Sequence, residues 1–297
     1  MVQLTKRKEI VFLYDVVNNN PNGDPDDENR PRLDEETNQI RVTDVRLKRT
    51  IRDYLSDFAK ALVFVKEYRE DDHTLKDKET ILADYNVNSP NELLEKFIDV
   101  RLFGSTTAVK KKTITLTGPV QFKMGITLHE CVVENIKGHT VFSSGKGKEG
   151  KDKKQGTFTE KWITPYALIN FYGLVNENAA KTTFLAAEDI DKMLEAMWKG
   201  TKILSSGSKI GHMPRLLMEV TYKEGQNFHI GDLEKGIVLK SQKEGIQIRS
   251  TQDFILDMST LNAKLEKNQS MIESVRLKID SDIKIENLNF KTQTFSF

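Results

Sequence analysis

Cysteine is almost absent from this 297-residue sequence. Cys131 stands alone, so no disulfide can close within the chain and no cysteine-rich zinc cluster can form. That usage suits a reducing, intracellular setting. Long apolar runs are missing as well: the stretch 10–14 after the basic N-terminus is too short for a secretory core, and nothing approaches the roughly 18–20 apolar residues of a membrane helix. A cytoplasmic location is expected. Neither sign of charge is in excess, since 45 Lys+Arg oppose 44 Asp+Glu, which argues against attraction of a polyanion by bulk charge. Glycine-rich phosphate loops, His-Glu-x-x-His and Gly-x-Ser-x-Gly are also lacking, which excludes the common enzyme signatures. So is the aromatic signature of a standard RRM reader. The five histidines are scattered; His129, Cys131 and His139 could approach one another, but structural roles outweigh a metal site there.

What is present is a chain with 38% apolar residues, enough for a folded core, and charges segregated along its length. Residues 15–36 hold eight acids against Arg30 and Arg32. Residues 41–53 follow with Arg41, Arg46, Lys48, Arg49 and Arg52 against Asp44 and Asp53. A third block, 146–154, carries five lysines against Glu149 and Asp152. Each block alone is a solvated surface; their order along the chain gives them more meaning.

Residues 9–17 are β-branched, aromatic or aliphatic and end at an Asn/Pro/Gly cluster, the mark of a strand too continuously apolar to face water. The segment Asn18-Asn-Asn-Pro-Asn-Gly-Asp-Pro-Asp is turn chemistry throughout. Its alternating oxygens resemble a calcium loop, but Asn29 stands where the closing acid belongs and a strand, not a helix, precedes it. A helix is expected from about residue 41, with Thr43 or Asp44 as N-cap and an apolar stripe of Leu47, Ile51, Tyr54, Leu55, Phe58 and Leu62. Arg46, Lys48, Arg49 and Arg52 fall on its flank and back. Residues 65–99 form a helical insertion with a short helix over 90–100. Strand patterns resume over 110–122, broken at Gly118-Pro119, and over 164–172. Between them, 143–156 has the composition of a mobile hairpin tip. A helix over 188–204, a Gly/Ser loop with Lys209 and Arg215, and a strand over 216–222 complete the order. Stripped of insertions, this is the β-α-β-β-α-β order of a ferredoxin-like sheet, an α+β fold.

The pattern suits a phosphate backbone. Arg41, Lys48, Arg49 and Arg52 on the helix, with Lys209 and Arg215 from the loop, offer charge to a single strand without reading bases. Six such contacts predict a log–log salt slope of roughly −4, at about −0.7 per phosphate.

Four stretches together resemble one family: strand 9–17 with its Asn-rich loop; Ile40-Arg-Val-Thr-Asp-Val-Arg-Leu-Lys-Arg-Thr-Ile-Arg-Asp-Tyr-Leu; Asp99-Val-Arg-Leu-Phe-Gly; and Leu116-Thr-Gly-Pro-Val-Gln-Phe. The chain resembles the backbone subunit of type I CRISPR Cascade complexes, the I-B/I-C branch, over about residues 9–222. The resemblance implies an RRM-like palm spanning 1–297, a helical fingers insertion at 63–100 and a β-hairpin thumb insertion at 129–165. It implies a protein that polymerises as a helical filament along guide RNA (crRNA) and binds other Cascade subunits. Target DNA is then met through base pairing with the guide. Carried over by position, Arg41, Thr43, Lys48, Arg49 and Arg52 line the guide-RNA groove, joined by Asn20, Asn22, Ser206, Ser208 and Lys209. Thr43-Asp44-Val45 stands where some members have Ser-Ser-Gln. No catalytic residue, metal or cofactor is expected. The alternative is a metal-dependent RNA endonuclease of related fold using acids such as Asp15, Asp24 or Asp44.

Overall fold

The computed structural model describes residues 2–109, 112–139 and 158–297; the expected hairpin tip at 143–156 lies outside them. The architecture is mixed α+β, built on one large sheet. Strand Lys8–Asn19 runs through its middle, hydrogen-bonded antiparallel to Phe158–Val175 on one side and to Met213–Tyr222 on the other. Across the sheet the order is Gln293–Thr294, Ile272–Ile279, Met213–Tyr222, Lys8–Asn19, Phe158–Val175, Gly125–Thr127, Gln39–Val42 and Leu33–Asp34. Val120–Phe122 and Glu134–His139 also pair with the long strand.

The unbroken apolar run of the first strand has a simple cause: both faces of the sheet are covered. Ile10, Phe12, Tyr14 and Val16 point to one face and Val11 and Leu13 to the other, and each set joins a different apolar cluster. Helices Asp44–Asp57 and Ala187–Lys202 close the first face, the second of them inserting Ile190, Met193, Leu194, Met197 and Trp198. Residues beyond 225 close the other face with Leu233, Phe254, Leu256 and helix Ser259–Lys267.

The basic helix starts as the sequence indicates. Thr43 is extended and its side chain accepts the Arg46 N–H, an N-cap. The stripe is shorter than its spacing suggests. Leu47, Ile51 and Leu55 are buried, but the helix ends at Asp57 and a positive-φ turn at Lys60 swings the chain away. Phe58 and Leu62 are therefore exposed, Phe58 stacking on Tyr54. The insertion that follows holds helices Lys78–Asp84, Pro90–Lys96 and Ile98–Phe103 and a hairpin, Gly104–Val109 with Lys112–Thr117. The helix expected over 90–100 is two, because Phe97 is extended between them. Phe64, Ile81, Leu82, Leu93 and Phe97 form an apolar cluster of the insertion's own. Among the described residues no helix is long and apolar enough to cross a membrane.

Candidate nucleic-acid interface

Polar side chains converge where the first strand ends and the basic helix begins. The Asn22 carboxamide oxygen accepts from both the backbone N–H and the hydroxyl of Thr43, each at 2.9 Å, so the Asn-rich loop holds the helix N-cap. Asn20 donates to the Asn29 carbonyl at 2.7 Å, which closes that loop on itself. The Gly/Ser loop 205–212 docks beside it: Asn19 donates to the Ile210 carbonyl at 2.9 Å, and the Lys209 ammonium reaches the Asn20 and Pro21 carbonyls. Three segments far apart in sequence thus form one rim.

Three contiguous clefts open along this rim, of about 780, 760 and 510 Å³, and Arg46 lines all three. The first lies between the helix N-terminus and the insertion, the second between the helix and loop 203–209, and the third between the Asn-rich loop and the base of the 134–175 hairpin. Asn22, Thr43 and Arg49 line the first; Ser206 and Lys209 the second; Asn20, Ser208 and Lys209 the third. Arg41 and Lys48 line none of them. Arg41 is exposed and paired with Asp34 at the sheet edge, and Lys48 pairs with Asp44 at 2.8 Å and sits over the Phe103 ring.

The charge balance of the rim is uneven. Arg49 pairs with Asp53 at 2.8 Å and Lys66 with Asp57 at 2.8 Å. By contrast Arg46, Lys161 and Lys209 have no carboxylate within ion-pairing distance among the described residues. Arg46 donates to the Thr50 hydroxyl at 2.8 Å and Lys161 to the Gly207 carbonyl at 2.7 Å. Their mutual repulsion is felt locally. Burial, reinforced by Arg46 and Lys161, pushes the Lys209 amine down to about 8. Burial together with Lys209 and Arg46 pushes the neighbouring His212 down to about 3. Beside them the Arg30 guanidinium stacks 5.6 Å from the Trp162 ring, and Asn20 Oδ1, Arg30 Nε and Trp162 Nε1 are buried without a hydrogen-bond partner among the described residues. Uncompensated cations beside unpaired polar atoms make a surface suited to a polyanion.

The family model of CRISPR-associated protein Cas7 matches residues 6–259. A CRISPR-associated protein Cas7 of Haloferax volcanii is 32% identical, over 94% of this chain and 88% of that protein. The chain belongs to the Cas7 family. Two solved chains show the same fold at low identity. One, from a CRISPR RNA-guided surveillance complex, pre-nicking, has a TM-score of 0.56 at 14% identity, covering 97% of this chain and 96% of that one. The other, from a CRISPR RNA-guided surveillance complex, has 0.51 at 15%, covering 95% and 94%.

In this Cas7-family chain two cations singled out as phosphate contacts are held by buried acids. Arg215 is buried, its Nε donating to Asp15 at 2.8 Å and its NH1 engaging Asp280. Arg52 reaches the first cleft, but its Nε is bound to the fully buried Asp99 at 2.9 Å. Arg46 and Lys161 are absent from the set drawn from the motif. Arg46 had the signal of lying on the helix flank; Lys161 had none, because only the strand pairing brings it beside Lys209. The acids of the nuclease alternative are dispersed: Asp15 sits between Arg215 and Tyr166, Asp24 pairs with Arg32 at 3.3 Å, and Asp44 pairs with Lys48. Among the described residues no group of three His, Cys, Asp or Glu is gathered for a metal ion. His129 accepts the Leu168 N–H through Nε2 at 3.3 Å, and burial pushes the Cys131 thiol up to about 11. The His139 side chain lies outside the described residues.

Proposed function

We propose that this chain is a non-catalytic backbone subunit of a type I CRISPR Cascade surveillance complex. It polymerises along guide RNA, holds the RNA backbone and presents bases for pairing with target DNA, alongside other Cascade subunits. The observation that carries this is the cluster of Arg46, Lys161 and Lys209, cations without an acid partner among the described residues, on the rim of a Cas7-family fold. Base pairing supplies sequence, so the protein needs only shape and charge. The RRM-like palm is supported by the strand order 213–222, 8–19, 158–175, 120–127 with two helices on one face. The separate apolar cluster supports a fingers unit at 63–100, and the hairpin of Glu134–His139 with Phe158–Val175 supports a thumb at 129–165. Asn20, Asn22, Thr43, Arg49, Ser206, Ser208 and Lys209 act with the cluster, and Arg41 and Lys48 join when phosphate displaces Asp34 and Asp44. Three uncompensated cations give a log–log salt slope of about −2 per subunit for single-stranded RNA, rising to about −4 if Arg41, Lys48 and Arg49 exchange partners. Fluorescence anisotropy across salt, with size exclusion of the mixture, reads both slope and assembly. A flat salt response with monomeric elution contradicts the proposal.

The pH response has a defined sign. Between about 8 and the ordinary 10.5, Lys209 has released a proton in the folded chain that the unfolded chain retains, so this group makes stability rise with pH across that window. A bound phosphate favours the charged amine, so RNA affinity runs the other way. Affinity is expected to fall roughly ten- to thirtyfold between pH 7 and about 9.5, the scale of one charge-assisted hydrogen bond as limited at that pH by an amine titrating at about 8. The same titration of Lys209→Gln should lack that drop; an identical drop in the variant assigns it to another group.

A further inference from the structure

The motif Asp99-Val-Arg-Leu-Phe-Gly has no side chain in the cationic cluster, yet it contains two of the most buried charges in the molecule. Asp99 is fully buried and accepts three hydrogen bonds: from Arg52 Nε at 2.9 Å, from the Phe64 N–H at 2.7 Å and from the Val65 N–H at 3.0 Å. Arg101 forks onto Asp189 with both bonds at 2.8 Å and donates its remaining NH1 to the Leu94 and Glu95 carbonyls at 2.7 and 3.1 Å. The two pairs are crossed. Helix Asp44–Asp57 supplies a base to the acid of helix Ile98–Phe103, and helix Ala187–Lys202 supplies an acid to its base. The short helix is gripped on both sides, with the Arg52 guanidinium 5.1 Å from the Phe103 ring. Phe64 and Val65, whose amides Asp99 holds, are themselves wall residues of the 780 Å³ cleft that Arg46 and Thr43 face.

We propose that Asp99 and Arg101 are positioning residues: the crossed ion pairs fix the insertion at one angle to the basic helix and so set the width of that cleft. The inference rests on the RNA-binding reading of the cleft. A buried ion pair adds little stability over an apolar pair of the same shape, and its contribution is geometric. An arginine–carboxylate fork tolerates little change in angle. Arg52 on this account acts through Asp99 and touches no phosphate, unlike the role the family motif implies for it.

The decisive variant is Asp99→Asn, which keeps the size and one acceptor but removes the charge. Amide hydrogen exchange should quicken at Phe64 and Val65 while strand residues 10–16 stay protected. Affinity for a single-stranded RNA should fall roughly three- to thirtyfold with the salt slope unchanged, because every cation facing the cleft is intact. A freed Arg52 that is a phosphate ligand gives the opposite result, equal or tighter binding with a slope steeper by about 0.7, and overturns the proposal, as does unchanged exchange. Arg52→Gln provides a second reading should Asp99→Asn unfold: loss of affinity at constant slope supports positioning, and a slope shallower by about 0.7 refutes it. If the unmodified chain binds no RNA, the functional proposal falls, while the exchange rates at Phe64 and Val65 still decide the clamp.

Discussion

Replacing Arg46 with alanine is expected to weaken single-stranded RNA binding by about 2–3 kcal/mol, roughly thirty- to a hundred-and-fiftyfold, while leaving the fold intact. Arg46 lines all three clefts, and among the described residues its guanidinium donates one hydrogen bond, to Thr50. A phosphate arriving there gains a charge-assisted partner and displaces no internal acid. Removal strands no acid, because among the described residues no carboxylate pairs with Arg46. The comparison is Arg41→Ala: exposed and already paired with Asp34, it reaches phosphate only by exchanging that partner and should cost no more than about fivefold, as surface pairs do. Anisotropy titrations at one salt concentration separate the two, and the Arg46 variant should also lose about 0.7 from its slope. Equal binding by Arg46→Ala and wild type, with a large loss for Arg41→Ala, would move the interface to the sheet edge.

The contrast between those arginines shows how far the sequence alone reaches. Periodicity places Arg41, Arg46, Lys48, Arg49 and Arg52 outside the buried stripe, but it does not say which acid each one meets. Asp44 and Asp53 stand four residues from Lys48 and Arg49, a spacing visible in the sequence. Asp99 lies 47 positions from Arg52, and only the folded insertion brings them together. The element order was legible because apolar patterning and turn residues are local, and the central strand betrayed its two-sided burial by its unbroken apolar run. The helix boundary at Asp57 was not, since Phe58 and Leu62 continue the apolar spacing while the turn at Lys60 overrides it. Lys161 illustrates the rest: a charge in a strand gains significance from its cross-strand neighbours, and those are set by topology.

Replacing Glu9 with alanine should destabilise the folded chain by about 3–5 kcal/mol and lower the melting temperature by on the order of ten degrees. Glu9 is fully buried in the central strand, and its carboxylate accepts from the Tyr172 and Tyr222 hydroxyls and from the backbone N–H groups of Ile230 and Gly231 at 2.9 and 2.8 Å. No cation pairs with it among the described residues, so four donors hold the charge. Truncation leaves the two hydroxyls and the Gly231 N–H without their acceptor, while the Ile230 N–H keeps the Tyr222 oxygen at 3.1 Å; stranding such donors costs more than the bonds themselves contribute. Ile230 and Gly231 begin the segment that covers the second face of the sheet, packing Leu233, Phe254 and Leu261 over Val11, Leu13 and Leu168. Glu9 therefore fastens a cover over the second face of the large sheet. With that face covered, the cations left open among the described residues include Arg46, Lys161 and Lys209 on the rim. Thermal melts of Glu9→Ala and Glu9→Gln test the fastening, with the glutamine variant retaining an acceptor and losing less. A melting temperature unchanged in Glu9→Ala would mean that apolar packing alone holds the cover in place.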